Sequence, residues 1–456
     1  MGKKYDFDYI IIGSGPAGSA AAFNLAKTKK RIAIIEGHLF GGANLNTRDV
    51  PYQVALDFSH TYQKASGLPE FRNQDFTFSL PTAISHQLKT ITNCNGNNKQ
   101  PYENAKLTCI EGYANLLDNH TVAIGNQKYT TNNFILATGA KLKTLEIAGT
   151  DSVKYLTPET AIKIRRLPKV AIVVGAGSTG CEIAEYYAEL GVKVILLETS
   201  DRILPREDKE VSEVISDYFV HQLGIMVLPN CKVTALEQDE YSKRVIFRNS
   251  RNEKMIRTDC IILATGSQPV LDYGLENAGV KYKNSGIITN KLFETSTKNI
   301  YAIGDALGKD SSTDLADYEG SILANNLINK SKTPVNYQGF IRLTNTLPGI
   351  ATIGLNEDDL TKRDRKYKKS ITKFEEIPAG KINNFYHGFV KLLADKTNHI
   401  LGATIVSPNA ELLAPEISLA IRHNLTALEI ASTPHPINSF AYAIKLAAKN
   451  LVITKK

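Results

Sequence analysis

Two glycine-rich segments, at 13–18 and 175–180, contain the residues best suited to binding a phosphate. Their sequences are GSGPAG and GAGSTG, and each is followed by a glutamate, Glu36 or Glu198, 23 positions after its first glycine. The first glycine of such a motif makes a tight turn, the second lets the backbone approach a pyrophosphate, and the third lets a helix pack on a strand. The glutamate accepts hydrogen bonds from ribose hydroxyls and repels a 2′-phosphate. The two segments therefore predict two dinucleotide-binding sites.

The elements around the two glycine segments follow one pattern: a strand, a glycine turn, a helix and a second strand. Residues 8–36 and 170–198 are gap-free copies of this βαβ unit, offset by 162 positions. Each copy is closed by a further apolar strand, at 133–140 and 260–267, and both of these contain Ala-Thr-Gly. The repetition of the whole unit makes two chance glycine turns a poor explanation.

Two other regions complete the predicted architecture. A strand within 296–306 ends in a Gly-Asp pair, which places Asp305 at the ligand-binding edge of an open α/β sheet. From about residue 336 the pattern changes to antiparallel strands and amphipathic helices without a glycine motif. The fold class predicted is α/β, with two Rossmann-like dinucleotide-binding domains and a C-terminal α+β domain that packs against another surface, such as a second copy of the chain.

Composition narrows the chemistry. The 456 residues carry 54 Lys+Arg and 46 Asp+Glu, and 43% are hydrophobic, which excludes a disordered chain or a disulfide scaffold. Five cysteines lie far apart, with no C-x-x-C pair and no Cys/His cluster at metal spacing, so no metal site is expected. Such cysteine usage suits a reducing compartment, and the expected location is cytoplasmic, without a membrane span or a nucleic-acid partner. Any redox chemistry must then come from a bound cofactor.

The motifs in combination resemble one enzyme family. The two βαβ units, the two Ala-Thr-Gly strands, IYAIGDA at 300–306 and the run GFVKLLADKTNHILGATIVSPNAELL at 388–413 are similar to the pyridine nucleotide-disulfide oxidoreductases. This is the flavoprotein family of dihydrolipoamide dehydrogenase, glutathione reductase and mercuric reductase. The resemblance implies that the first unit binds FAD and the second NAD(P)H. It also implies a homodimer in which the partner chain completes each active site.

The resemblance also implies domain boundaries. The FAD-binding domain is expected in two parts, 1–147 and 268–335, around an NAD(P)H-binding domain at 148–267. A dimerisation domain follows at 336–456.

Binding residues are implied position by position. Those matching FAD contacts are Gly13, Gly15, Pro16, Ala17, Gly18, Glu36, Gly42, Ala114, Thr138, Gly139 and Asp305, the last at the ribityl chain. Those assigned to the NAD unit are Gly175, Gly177, Gly180, Glu182, Glu198, Val233 and Gly266. Glu198 favours NADH over NADPH, although Arg202, four positions on, keeps NADPH open.

The segment after Glu36 departs from the family pattern. Asn44 and Asp49 stand where the family has the two cysteines of its redox dithiol, and neither side chain can carry electrons. Gln53 replaces a lysine, so the family's Lys–Glu ion pair with Glu182 is not expected. Asp49 allows two interpretations. It is either a carboxyl group beside the flavin ring, where it opposes the negative charge of a reduced flavin or, when protonated, donates a hydrogen bond, or it is the N-cap of the following helix.

A second departure lies near the C-terminus. His435 is kept before Pro436, but Phe440 stands where the family has the glutamate that orients this histidine. In the family the imidazole is a general base toward a thiol substrate. Without a thiol or an orienting acid, His435 is either catalytic or a packing or substrate-contact residue.

These departures predict a function. We expect a dimeric FAD enzyme of the diaphorase or quinone reductase type. It passes a hydride from NADH to flavin and then electrons directly to a non-disulfide small-molecule acceptor, such as a quinone. Asn44, Asp49 and His435 are its candidate catalytic residues. The alternative is a catalytically degenerate, dihydrolipoamide dehydrogenase-like flavoprotein that acts as a redox sensor or an assembly partner.

Overall fold

A computed structural model describes residues 5–67, 77–94, 96–143, 147–240, 242–249, 252–308 and 312–453. The chain divides into two units. The first unit comprises Met1–Ala55, Ser79–Thr144 and Gly266–Asn336, and the second comprises Leu56–Phe78, Leu145–Thr265 and Tyr337–Lys456.

The strands within these residues, in chain order, are β1 (Phe7–Ile12), β2 (Ile32–Glu36), β3 (Thr108–Glu111), β4 (Ala114–Leu116), β5 (Thr121–Ile124), β6 (Gln127–Leu136), β7 (Ala140–Leu142), β8 (Val170–Val174), β9 (Lys193–Leu197), β10 (Met226–Leu228), β11 (Cys231–Gln238), β12 (Lys243–Asn249), β13 (Asn252–Thr258), β14 (Cys260–Leu263), β15 (Ser267–Pro269), β16 (Tyr282–Lys283), β17 (Gly286–Ile287), β18 (Ile300–Ala302), β19 (Ile341–Thr344), β20 (Gly349–Gly354), β21 (Lys368–Lys373), β22 (Phe389–Ala394) and β23 (Ile400–Ser407).

The α-helices are α1 (Pro16–Ala26), α2 (Gly42–Asn46), α3 (Asp49–Gly67), α4 (Leu80–Asn93), α5 (Gln100–Asn104), α6 (Pro158–Ala161), α7 (Ser178–Glu189), α8 (Lys209–His221), α9 (Thr313–Asn329), α10 (Glu357–Lys362), α11 (Pro378–Ile382), α12 (Ala410–Arg422), α13 (Ala427–Ser432) and α14 (Tyr442–Ile453). Short 3-10 helices lie at Gly304–Leu307 and Phe374–Glu376.

The first unit is built on a parallel sheet in the order β3-β2-β1-β6, with β18 beside β6. The apolar run of β1 pairs on both sides, Ile10 with Ala33 of β2 and Ile11 with Ile135 of β6, and these side chains form its buried core. Strands buried on both faces are typical of parallel sheets. The first glycine turn directly follows the carboxyl end of β1.

The second unit contains two kinds of sheet. A parallel sheet in the order β10-β9-β8-β14 carries the second glycine turn, and an antiparallel sheet β11-β12-β13 accompanies it. The C-terminal part is an antiparallel sheet in the order β19-β20-β23-β22-β21, packed against α12 and α14. The predicted fold class is confirmed.

Both closing strands end earlier than expected. The sequence predicted that these strands extend through residues 140 and 267. In the structure β6 ends at Leu136 and β14 ends at Leu263. Gly139 and Gly266 follow with φ of +70° and +90°, a left-handed conformation that breaks a strand and favours glycine. The Ala-Thr-Gly segments therefore belong to turns at the sheet edge.

No helix in the part of the chain that the structure describes is both long enough and apolar enough to cross a bilayer.

Candidate functional site

The first glycine turn joins β1 to α1 and leaves little room for side chains at two positions. Gly13 has φ of +103°, and a Cβ there would lie 2.1 Å from the carbonyl oxygen of Ala137. A Cβ on Gly18 would lie 2.0 Å from the carbonyl oxygen of Gly13. Around Gly15, by contrast, a Cβ would meet open space, and no described side chain caps α1, which begins after it. An open position in front of free helical N–H groups fits a pyrophosphate.

Glu36 lies at the end of β2 and is held by the same turn. Its carboxylate accepts hydrogen bonds from the Ser14 N–H (2.9 Å), the Ser14 hydroxyl (2.6 Å) and the His38 N–H (2.9 Å). Gly42, with φ of +66°, packs its backbone against Gly15, where a Cβ would come within 2.5 Å of the Gly15 Cα. The structure thus brings Gly15, Glu36 and Gly42 together.

The other residues predicted to contact FAD also lie in the first unit. Pro16 and Ala17 begin α1, Ala114 begins β4, and the hydroxyl of Thr138 donates to the carbonyl oxygen of Val270 at 3.3 Å. Asp305 lies in the 3-10 helix after β18, as the strand-edge argument expects.

An unpredicted partner of Asp305 is Arg48, whose Nη1 lies 3.7 Å from the Asp305 carboxylate. Arg48 directly precedes Asp49, and its charge was the only signal in the sequence. The guanidinium gives this part of the first unit a positive charge beside Asp305.

The second glycine turn repeats the geometry of the first. Gly175 has φ of +98°, and a Cβ there would lie 2.5 Å from the carbonyl oxygen of Ala264. A Cβ on Gly180 would lie 1.9 Å from the carbonyl oxygen of Gly175, whereas Gly177 faces open space before α7. This turn also fits a dinucleotide.

Glu198 follows β9 and repeats the role of Glu36. Its carboxylate accepts hydrogen bonds from the N–H groups of Ala176 (2.7 Å) and Ser200 (2.8 Å). Burial opposes its ionisation, but these hydrogen bonds outweigh burial and lower the pKa of Glu198. A carboxylate kept ionised at the end of this strand disfavours a 2′-phosphate.

Arg202, which kept NADPH open, is engaged elsewhere. One guanidinium nitrogen lies 3.4 Å from the Asp201 carboxylate, and the other donates to the carbonyl oxygen of Pro205 at 3.3 Å. These contacts compete with any contact to a phosphate.

The remaining residues predicted to contact NAD are Glu182 on α7 and Val233 on β11, both in the second unit, and Gly266 after β14, where the first unit resumes. Glu182 accepts hydrogen bonds from the backbone N–H (2.7 Å) and the side-chain amide (3.2 Å) of Asn345. Asn345 thus binds the Glu182 carboxylate, for which the family resemblance implied a lysine partner.

Asn44 and Asp49 are brought together by one hydroxyl. Thr313, the first residue of α9, donates a short hydrogen bond to the Asp49 carboxylate and lies 3.3 Å from the Asn44 amide oxygen. The interpretation of Asp49 as an N-cap is wrong: Asp49 lies within the first turn of α3, and its carboxylate binds Thr313 rather than a described N–H of that helix. Nothing in the spacing pointed to Thr313, because 264 positions separate it from Asp49.

His435 has an acidic partner, contrary to expectation. Its Nε2 lies 2.9 Å from the carboxylate of Glu416 on α12, and its Nδ1 lies 2.9 Å from the carbonyl oxygen of Thr433. The expectation that no acid orients His435 is therefore wrong. Phe440 is buried in an aromatic cluster with Phe374. The acid that contacts His435 is therefore Glu416 on α12, 19 positions earlier in the chain.

The five cysteines are all free thiols. Cys94 is exposed, Cys109 is half-buried, and the other three are buried at Cys181, Cys231 and Cys260. Burial raises the pKa of the Cys181 and Cys260 thiols, the latter to about 11. Neither buried thiol has the low pKa of a reactive cysteine.

Comparison with known proteins adds to this geometry. The profile of the pyridine nucleotide-disulphide oxidoreductases matches residues 7–321, and that of the dimerisation domain of the same family matches 342–448. A mercuric reductase of Staphylococcus aureus is 30% identical over 97% of this chain and 82% of its own length. A dihydrolipoyl dehydrogenase of Chlamydia pneumoniae is 28% identical over 94% of each chain.

Solved structures share the fold. LpdA of Mycobacterium tuberculosis superposes with a TM-score of 0.88 at 23% identity, covering 97% of this chain and 99% of its own. The flavoprotein disulfide reductase RclA of Escherichia coli gives 0.86 at 21% identity, covering 98% of this chain and 100% of its own. With two dinucleotide turns, a C-terminal dimerisation domain and family matches over most of its length, this chain belongs to the pyridine nucleotide-disulphide oxidoreductase family.

Proposed function

We propose that this protein is an NADH oxidoreductase that passes electrons from its flavin directly to a non-disulfide acceptor, such as a quinone. One observation supports the proposal: Asn44 and Asp49, which the family resemblance matches to the two cysteines of the dithiol, both contact the Thr313 hydroxyl. An amide and a carboxylate cannot take up two electrons. None of the five cysteines is placed at either position.

The family uses FAD and a nicotinamide nucleotide. When bound, FAD supplies the two-electron chemistry, accepting a hydride from the nicotinamide and releasing electrons to the acceptor. We assign FAD to the turn of Gly13, Gly15 and Gly18 with Glu36. The nicotinamide nucleotide is assigned to the turn of Gly175, Gly177 and Gly180 with Glu198.

The protein's own contribution is binding and orientation. The open positions at Gly15 and Gly177 admit the two pyrophosphates, and Glu36 and Glu198 receive ribose hydroxyls. Asp305, held beside Arg48, is suited to a polar chain of the flavin. Each turn would orient the dinucleotide that it binds, and orientation of bound reactants can lower a reaction barrier substantially.

Asp49 supplies a carboxyl group at a position where the family resemblance implies a thiol. The carboxylate of Asp49 accepts a hydrogen bond from the Thr313 hydroxyl, so the oxygen that accepts this bond is not available as a donor. Glu416 gives His435 a fixed orientation, so the imidazole remains a candidate proton donor to the acceptor. In the homodimer that the family implies, His435 of one chain would serve the site of the other.

The names of the relatives point to other reactions. Mercuric ion reduction and dihydrolipoyl dehydrogenation belong to those relatives. Disulfide reduction, including dihydrolipoamide oxidation, is expected to be absent here.

Anaerobic titration of the FAD-loaded protein with NADH tests the proposal. The expected uptake is two electrons per FAD, without the long-wavelength absorbance of a thiolate–flavin contact. Uptake of four electrons would show a second redox centre and overturn the proposal. Steady-state NADH oxidation with a panel of quinones then distinguishes an enzyme from a redox sensor, because a sensor would turn over none of them.

A further inference from the structure

The side chains of His60, Glu185 and Glu189 converge between α3 and α7 in the second unit. The Nε2 of His60 lies 3.4 Å from a carboxylate oxygen of Glu185 and 3.7 Å from one of Glu189. The three potential ligand atoms all lie within 4.8 Å of one another. Glu185 and Glu189 are four positions apart on α7, so they project from one face of that helix.

These groups are buried without enough partners. Glu185 is fully buried and Glu189 is 3% exposed. Glu185 accepts a hydrogen bond from the Leu347 N–H at 2.9 Å. Neither oxygen of Glu189 has a hydrogen-bond partner of acceptable geometry among the described residues, and the same holds for the Nε2 of His60. Buried polar groups left in this state cost free energy.

The same unit shows how this protein neutralises buried carboxylates elsewhere. The Nζ of Lys391 lies 2.6 Å from Asp208, 2.9 Å from Glu210 and 2.8 Å from Glu357. Glu185 and Glu189 have no lysine or arginine in any ion pair of the described residues, where His60 is the only basic side chain paired with them. Burial raises the pKa of Glu185 well above its usual range and, together with the charge of Glu185, raises that of Glu189 to about 8. Among the described residues, no lysine or arginine offsets the two carboxylates of this cluster.

We propose that His60, Glu185 and Glu189 bind a divalent transition-metal ion, for which zinc is the best fit. Zinc takes one imidazole nitrogen and two carboxylate oxygens readily, in tetrahedral geometry with water as a fourth ligand. Ligand atoms about 2.0–2.2 Å from one ion lie about 3.3–3.6 Å apart at tetrahedral angles. The separations of His60 from the two glutamates come close to this range.

The bound ion would join the second half of α3 to α7. The Leu347 N–H, which donates a hydrogen bond to the Glu185 carboxylate, would orient this ligand, as hydrogen-bond partners of metal-bound carboxylates commonly do. The sequence predicted no metal site, because 125 positions separate His60 from Glu185 and no short motif contains both. None of the three residues belongs to either glycine turn, and the proposed ion does not depend on the proposed acceptor.

Zinc binding to the full-length, FAD-loaded protein tests the site. Protein stripped with a chelator is titrated with Zn²⁺ against a competing indicator, and in parallel with Co²⁺, whose visible absorption reports four-coordinate geometry. We expect one ion per chain, an apparent dissociation constant in the micromolar range or tighter, and a Tm that rises with Zn²⁺.

Variants locate the ion. Glu189→Gln keeps the size of the side chain, and we expect it to weaken binding by more than about 100-fold, since losing even an outer partner costs about 10- to 100-fold. Glu213→Gln, on the exposed face of α8, is the matched control and should bind like the parent protein. His60→Asn provides a second test, with exposed His86→Asn as its control. Circular dichroism and FAD content establish that each variant is folded.

Either of two results would overturn the proposal. One is a parent protein that binds no Zn²⁺ in a one-to-one ratio. The other is a folded Glu189→Gln variant that binds Zn²⁺ as tightly as Glu213→Gln does. In both cases the three side chains would form a neutral hydrogen-bonded cluster instead.

Discussion

Glu36 and Glu198 are the residues that distinguish the two dinucleotide turns from ordinary glycine loops. Each carboxylate accepts a hydrogen bond from the second residue of its own turn, the Ser14 N–H in one unit and the Ala176 N–H in the other. The bond holds the carboxylate in place before any ligand arrives. Because the two positions are equivalent, each glutamate is a matched control for the other.

Glu198→Gln should weaken the preference for NADH. The substitution keeps the size of the side chain but removes the charge that repels a 2′-phosphate. We expect the ratio of kcat/KM for NADH to that for NADPH to fall by about tenfold or more, which corresponds to about 1.4 kcal/mol. Glu36→Gln should instead lower FAD content and leave this ratio unchanged. An unchanged ratio in Glu198→Gln would show that Glu198 does not select the nucleotide.

Restoring two thiols should restore the family's redox centre. In the double variant Asn44→Cys with Asp49→Cys, we expect a long-wavelength charge-transfer absorbance and an uptake of four electrons per FAD in anaerobic titration. Either single substitution should take up only two electrons, because one thiol cannot form the disulfide. A double variant that behaves like the singles would show that positions 44 and 49 do not match the dithiol.

The sequence predicted residues whose role depends on the backbone and missed those that depend on distant side chains. Gly13, Gly18 and their counterparts were predicted because only glycine fits their turns. The Thr313 contact to Asp49 and the Glu416 contact to His435 join separate elements. No local spacing encodes such pairs, so the sequence suggested an N-cap for one and no acid for the other.

At the scale of elements, one buried lysine joins three parts of the second unit. Lys391 lies on β22 and is fully buried, while Asp208 and Glu210 lie at the start of α8 and Glu357 begins α10. A buried charge of this kind is stable only while all its partners are present. The sequence predicted antiparallel strands in this region but not which charges the single lysine of β22 would meet.

Lys391→Met should destabilise the protein strongly. Methionine fills a similar volume but removes, among the described residues, the only buried cation of three carboxylates and leaves Asp208 without a lysine partner, which costs about 3–5 kcal/mol of unfolding free energy. Lys369 contacts two of the same carboxylates, at 3.3 Å and 3.2 Å, but is half exposed. Lys369→Met should therefore cost less than about 1 kcal/mol. Urea unfolding at neutral pH compares the two, and equal losses would contradict a special role for burial.

The same cluster predicts a dependence of stability on acid. Burial opposes ionisation of Glu357, but hydrogen bonds from Lys391 and Tyr367 lower its pKa to about 2. Because this pKa lies below the unfolded value of about 4.3, the stabilisation is complete at higher pH and is lost as pH falls from about 4.3 towards 2. The urea midpoint of the parent protein should drop over this range. Lys391→Met should show a smaller drop, and an identical one would contradict the link.

At the scale of the whole molecule, the match to a dimerisation domain includes α12, and one face of this helix is exposed and apolar. Leu412 and Leu419 on α12 are 72% and 57% exposed, and they lie seven positions apart on one face of that helix. Glu416, the partner of His435, lies between them on the same face. Exposed apolar stripes of this kind mark interaction surfaces. A second copy of the chain covering this face would place the His435–Glu416 pair at the interface.

Leu419→Asp should therefore dissociate the dimer. A charge at the centre of an apolar interface must be desolvated without a partner, which disfavours association by several kcal/mol. Sedimentation velocity should show a dimer for the parent protein and a monomer for Leu419→Asp at the same concentration. Met255→Asp, at an exposed apolar residue of β13, is the matched control and should stay dimeric. If His435 serves the partner's site, quinone-dependent NADH oxidation should fall together with the dimer fraction. A monomeric parent protein would contradict the dimer, and full activity in a monomeric Leu419→Asp variant would contradict the shared site.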